Sequence, residues 1–297
     1  MSIGIDQQQH RVLIEACAVA GLDPGGAEPI RLGENAIFRL PGGVVARIAR
    51  PGQLAAARKE VRVARWLAEQ HVPAVRAIDI ADQPVLVGER AVTFWEELPA
   101  HRHGTPAEVA EAIRRLHDLP VPADVPLDGL DPFVRLAERI DTATTLPADD
   151  RTWLHSHLDN LRTAYAELPK GLPSCVVHGD AWVGNVVATA RDEVVLLDLE
   201  RCAVGPPEWD LISTAIKRTS FGWITAADYQ DFCRRYGHDV TTWPGFALLR
   251  DIREFRMTCY IAQRAAEHAK AQAEAQVRVD SLRGRAGPRP WAWTPAL

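Results

Sequence analysis

Long apolar runs are missing from this 297-residue chain: no stretch approaches the roughly 18 residues that span a bilayer. The opening MSIGIDQQQH carries no basic flank ahead of an apolar core, so a secretory leader is not expected. Cysteine is sparse. The five present (Cys17, Cys175, Cys202, Cys233, Cys259) form no C-x-x-C pair, which removes the usual zinc and redox motifs and predicts reduced, mostly buried thiols. Neither G-x-x-x-x-G-K-[ST] nor G-x-G-x-x-G occurs, so P-loop and dinucleotide-binding readings are excluded. A strong excess of one charge is also lacking. With 34 Lys and Arg against 39 Asp and Glu, the net charge is −5, which offers no basic field to nucleic acid. Together these absences predict a cytoplasmic protein with no nucleic-acid and no membrane partner; a monomer or homodimer is expected.

What is present is ordinary globular composition, 47% hydrophobic and 25% charged, in a length that suits one large or two moderate domains. Residues 6–20 place Val12, Leu13, Ala16 and Cys17 on one helical stripe. Short β-like runs follow at 30–32, 37–40 and 44–49, the last two separated by Pro41-Gly42-Gly43. Residues 53–70 are helix formers, with Leu54, Ala57, Val61, Ala64 and Leu67 on a helical period. Further β-like runs are expected at 77–80, 84–89 and 92–99. The stretch His101 to Gly104 reads as a solvated connector, and Thr105-Pro106-Ala107-Glu108 opens a helix. Beyond residue 118 the pattern is mostly helical, including an Ala-rich stretch at 261–279, and is interrupted by β-like runs at 174–200.

One constellation carries chemistry. His178-Gly179-Asp180-Ala181-Trp182-Val183-Gly184-Asn185 precedes a strand pattern ending in Asp198-Leu199-Glu200. If residues 185–189 and 194–200 pair across the turn Ala190-Arg191-Asp192-Glu193, Asn185 comes beside Asp198, and the oxygens of Asp180, Asn185 and Asp198 suit a hard cation such as Mg²⁺. Cys175, three residues before His178, reads as core filler, not a nucleophile.

The H-G-D-x-x-x-x-N run with its following D-x-E resembles the catalytic loop and metal segment of the aminoglycoside phosphotransferase family, relatives of the protein kinases. The resemblance implies an α+β, bilobal protein-kinase-like fold. Its antiparallel-sheet N-lobe would cover residues 1–99, and a mostly helical C-lobe would cover 100–297. It implies Asp180 as catalytic base, Asn185 and Asp198 as Mg²⁺ ligands, and His178 bracing the loop. Glu200 would support the same loop, with its own role open. In the N-lobe, Gly33 and Asn35 fall at the phosphate-covering turn and Glu60 on the following helix. Arg47 stands where the pattern has lysine or arginine. The nucleotide, ATP or GTP, would sit between the lobes against the connector 94–99, with Glu96 and Leu98 as contact positions. The implied reaction moves the γ-phosphoryl group to a hydroxyl of a small molecule, whether aminoglycoside-like, sugar or other natural-product alcohol. A nucleotide-binding protein of the same fold without transferase activity is the alternative.

The charge is unevenly divided. Residues 211–297 hold 13 basic and 8 acidic side chains, a net +5, and the whole-chain −5 leaves −10 for residues 1–210. Asp228, Asp231, Asp239, Asp251 and Glu254 are candidates to receive a polycation, but arginines lie among them. Arg253 and Arg256, three apart, could share a face that suits a neutral or anionic acceptor. Asp210 reads as structural, and Trp291 and Trp293 as docking onto the helical part.

Overall fold

Strand alternation organises the N-terminal sheet. Ala36, Phe38 and Leu40 on one strand and Ala46 and Ile48 on the next are buried, while Ile37, Arg39 and Arg47 between them are less so. The computed structural model describes residues 2–32, 35–266 and 269–295. In chain order the elements are α1 (Ser2–Ala20), β1 (Glu28–Leu32), β2 (Ala36–Leu40), β3 (Val44–Ile48), α2 (Leu54–Glu69), β4 (Val85–Val87), β5 (Arg90–Glu96), β6 (His101–His103) and α3 (Pro106–His117). They continue with α4 (Leu136–Thr142), α5 (Ala148–Ala166), β7 (Cys175–Val177), β8 (Val186–Thr189), β9 (Val194–Leu196), β10 (Ala203–Gly205), α6 (Glu208–Thr219), α7 (Ala226–Tyr236), α8 (Phe246–Arg264) and α9 (Ala269–Leu282). The described residues divide into two compact units, 1–128 with 178–204, and 129–177 with 205–297.

In the first unit five antiparallel strands run in the order β1-β2-β3-β5-β4. The stripe Val12, Leu13, Ala16 and Cys17 of α1 closes the Ala46 and Ile48 side of the sheet. Burial, with a smaller contribution from Asp23, pushes the Cys17 thiol up to about 11, as expected of an inert core cysteine. By alternation Arg47 leaves from the other side of β3, where it meets α2.

The β-like run expected at 77–80 forms no strand. Only Ala77 bridges to Trp95, flanked by Ile78 N–H to Phe94 O at 3.1 Å and Glu96 N–H to Arg76 O at 2.8 Å, and the Gln83 side chain extends this short pairing. Its amide donates to Ile78 O at 2.7 Å and accepts from Phe94 N–H at 3.0 Å. His101, Arg102 and His103, expected as connector, instead form the exposed edge of a second sheet, ordered β6-β8-β9.

Helix α3 begins as its sequence predicts, with a reciprocal capping box between Thr105 and Glu108. Arg102 hydrogen-bonds Glu108 at 2.6 and 2.8 Å, and those bonds, with the Thr105 cap and against partial burial, bring the Glu108 carboxyl down to about 2. A carboxyl held below its unfolded value stabilises the fold above that value and loses this contribution as pH falls through the folded one. Acid unfolding should therefore include a Glu108 component between about pH 4.5 and 2 that Glu108→Gln removes. Thr105→Ala should cost about 1 kcal/mol in denaturant unfolding at neutral pH.

In the second unit Trp209 is fully buried on α6, with the guanidinium of Arg253 4.2 Å and that of Arg256 5.6 Å from its ring centroid. Arg253 donates to Trp209 O and Arg256 to Pro132 O. The expectation that these two arginines face an acceptor is thus corrected: both are buried and support Trp209. The acidic candidates are likewise engaged within this unit. Asp228 closes the α7 capping box, Asp231 pairs with Arg234, and Asp239 accepts from Tyr229 Oη. Asp251 and Glu254 both receive Arg289. With these acids engaged and Arg253 and Arg256 buried against Trp209, the positive balance of residues 211–297 gives no ground for choosing an acceptor charge.

The tail docks on this unit. Trp291 and Trp293 are buried and stacked at 5.2 Å, with Arg289 over one ring and Arg278 over the other. The Ala-rich stretch expected at 261–279 is not one helix, since α8 ends at Arg264 and α9 begins at Ala269. No helix among the described residues is long and apolar enough to cross a membrane.

Candidate functional site

The expected β8–β9 hairpin forms, with Val186 opposite Leu196 and Val187 opposite Val195. One step further along, Leu197 N–H donates to Asn185 O at 2.9 Å, so Asp198 follows directly beyond the residue paired with Asn185. The preceding loop is tied to the same point. His178 is fully buried. Its Nδ1 accepts from Asp180 N–H at 3.3 Å, which leaves the proton on Nε2 to be donated to Leu197 O at 2.8 Å. Asn185 Nδ2 donates to Asp180 O at 3.0 Å and reaches Asp180 Oδ2 at 3.4 Å, leaving the amide oxygen of Asn185 as its remaining ligand atom. Gly179 joins His178 to Asp180 at φ +82°, and a Cβ there would lie 2.4 Å from Arg201 O. The loop geometry therefore requires glycine both for its backbone angle and for its space.

Asp198 is held from the other side. Leu196 donates to Pro73 O at 3.1 Å and accepts from Val75 N–H at 2.9 Å, so the strand end is fixed to the segment after α2. Asp198 itself has φ +56° and ψ +60°, a left-handed conformation that a non-glycine residue adopts only where its surroundings impose it. The residue is half-buried, yet its Oδ1 has no solvent exposure and no hydrogen-bond donor; the nearest cation, Arg47 Nη2, is 3.6 Å away. Burial first, then the neighbouring Glu200 charge and that of Asp180, raise the Asp198 carboxyl above its ordinary value against the pull of Arg47. An orphaned carboxylate oxygen among oxygen donors fits a hard divalent cation. Among the described residues no three His, Cys, Asp or Glu side chains form a closed cage. The Asn185 and Asp198 pair is an open donor set, of the sort Mg²⁺ completes with water and phosphate.

Arg47 is the hub of the remaining charges. Its Nη1 donates to both oxygens of Glu60, at 2.7 and 2.8 Å, and its Nη2 donates to Glu200 Oε2 at 2.9 Å. Burial works against the Arg47 charge, but Glu60, Asp198 and Glu200 together hold its pKa above the ordinary value. Glu60 lies on the buried face of α2, and burial pushes its carboxyl up to about 7 in opposition to Arg47. The resemblance puts Arg47 on its strand and Glu60 on the following helix but leaves the role of Glu200 open, and the structure joins all three. The D-x-E spacing was the available signal.

The nucleotide-facing expectations fall on less regular backbone. Gly33 lies outside the described residues, and Asn35 sits half-buried at the bend leading into β2. Glu96 ends β5 with an exposed side chain and its N–H donated to Arg76 O at 2.8 Å. The next N–H, of Glu97, goes to Gly43 O at 2.7 Å. Leu98 N–H enters none of the backbone hydrogen bonds among the described residues. Trp182, between Asp180 and Asn185, is 42% exposed, and its ring lies so close to Gly184 that a Cβ there would come within 2.4 Å of it. No spacing or periodicity announces this packing.

An antiparallel sheet with a glutamate-bearing helix, a His-Gly-Asp loop and a hairpin ending in aspartate, followed by a helical remainder, make up an α+β protein-kinase-like fold. The model of the phosphotransferase enzyme family, APH, matches residues 27–249, and the chain belongs to that family. Solved structures agree in fold. An amicoumacin kinase, in complex with AMP-PNP, Ca²⁺ and Ami, superposes with a TM-score of 0.72 at 13% identity over 92% of each chain. An aminoglycoside phosphotransferase from Streptomyces rimosus gives 0.60 at 23% identity, covering 82% of this chain and 97% of its own. A choline/ethanolamine kinase family protein from Mesorhizobium loti gives 0.61 at 19% identity, covering 93% and 95%. Comparison with curated proteins gave no significant match.

Proposed function

We propose that this chain is an ATP-dependent phosphotransferase that moves the γ-phosphoryl group to a hydroxyl of a small molecule. The observation that carries the reading is Asp198 Oδ1, buried without a donor and linked through Leu197 and His178 to the Asp180 loop. Asp180 would orient the acceptor hydroxyl and take its proton. Asn185 and Asp198 would hold Mg²⁺, which when bound offsets charge on the phosphoryl oxygens. His178, through its two hydrogen bonds, keeps Asp180 in register with the metal segment. Arg47, fixed by Glu60, presents its guanidinium to nucleotide phosphates. The turn around Gly33 and Asn35 covers them, and the connector at Glu96 and Leu98 meets the base, with Leu98 N–H available as donor. Most of the acceleration would come from positioning and electrostatics.

The acceptor belongs to the small-molecule alcohols, aminoglycoside-like, sugar or other natural product. The same reading takes residues 1–99 as N-lobe and 100–297 as C-lobe, with ATP or GTP as donor. It sets the protein in the cytoplasm as a monomer or homodimer, without nucleic-acid or membrane partner. A panel of aminoglycosides, macrolides, sugars, nucleosides and amino alcohols, followed by ATP consumption with Mg²⁺, should contain at least one efficient acceptor. Mg²⁺-dependent nucleotide binding with no consumption on any member would favour a nucleotide-binding protein without transferase activity.

A further inference from the structure

We infer that Glu200 is a positioning residue for Arg47, the second arm of a clamp that keeps Asp198 available as a ligand. The inference rests on the phosphotransfer reading of the same site for its purpose, but not for its geometry. Arg47 spends Nη1 on both oxygens of Glu60 and turns Nη2 to Glu200 at 2.9 Å, leaving Asp198 Oδ1 at 3.6 Å and without a hydrogen bond. Arg47 is 17% exposed at its side chain and Glu60 4%, so neither has much water to fall back on. A guanidinium presents its donors in a rigid planar fork, which can span two carboxylates at once; an ammonium is a single point of charge. Without Glu200, the freed Nη2 would have Asp198 as its nearest anion and would close on it, occupying the oxygen that a cation needs. Arginine in place of lysine on β3 and glutamate two residues beyond Asp198 are therefore one device. The first supplies a second donor, and the second keeps it off Asp198.

The test is a double-variant cycle with Arg47→Lys and Glu200→Gln, read twice on the full chain. Without nucleotide or metal, the change in thermal midpoint caused by Glu200→Gln should differ by about 2–4 °C between the two backgrounds, because only arginine engages both carboxylates. With AMP-PNP, calorimetric titration should show Glu200→Gln raising the Mg²⁺ needed for nucleotide binding about tenfold beside Arg47, and much less in the Arg47→Lys background. Glu200→Asp, which keeps the charge but withdraws it by one methylene, should give an intermediate shift. Additive midpoints would overturn the clamp. A Mg²⁺ requirement raised equally in both backgrounds would also overturn it, by making Glu200 a metal ligand in its own right. The unliganded cycle does not depend on catalysis, so a chain that transfers no phosphoryl group would still decide the question.

Discussion

With Asp180→Asn, phosphoryl transfer is expected to fall by about 10²–10⁴-fold, the usual contribution of a positioned general base, while nucleotide affinity changes little. Asparagine is the informative replacement because it keeps the shape of the side chain. The backbone bonds that hold the loop, Asn185 Nδ2 to Asp180 O and Asp180 N–H to His178 Nδ1, do not involve the carboxylate. An amide oxygen can still accept the long contact from Asn185 Nδ2 at 3.4 Å. What is lost is the proton acceptor. Steady-state turnover on a productive acceptor, measured alongside AMP-PNP calorimetry, checks the split. Undiminished turnover would remove Asp180 from the reaction, and lost nucleotide binding would make its role structural.

The second large effect is expected at Gly179. An alanine there must adopt φ near +82° and place its Cβ 2.4 Å from Arg201 O. The backbone angle alone costs roughly 1–2 kcal/mol. The clash forces the loop away from the segment that follows Asp198, and with it the backbone of Asp180. A displacement of about 1 Å at a reacting group can lower turnover by roughly 10²-fold. Gly179→Ala should therefore lower both denaturant stability and turnover, whereas Asp180→Asn should lower turnover alone. An alanine variant with unaltered midpoint and turnover would show that the loop does not need this conformation.

Much of this site could be read from the sequence because it is built from local pattern. The His178 to Asn185 run, the turn near 190–193 and the apolar strand before Asp198 predict one hairpin, and it forms. Glu60 came from the family resemblance alone, and the structure places it on the buried face of α2 beside Ala57, Val61 and Ala64. The readings that failed depended on tertiary pairing. Gln83 extends a short pairing with side-chain hydrogen bonds, which no periodicity announces. Arg253 and Arg256 looked like a charged face because charge is visible in sequence and the aromatic ring that buries them is not; Trp209 lies more than forty positions earlier. The same holds for Glu200. Its spacing from Asp198 was visible, but its partner stands on β3.

The proposed function stands on phosphoryl transfer by the Asp180, Asn185 and Asp198 constellation. Incubating the purified chain with Mg²⁺, the acceptor panel and ATP labelled at the γ-phosphoryl group, then locating the label by mass spectrometry, tests it directly. Label is expected on a hydroxyl oxygen of at least one acceptor with the native chain and should be nearly absent with Asp180→Asn. Nucleotide binding without labelled product on any acceptor, or equal labelling by the variant, would contradict it.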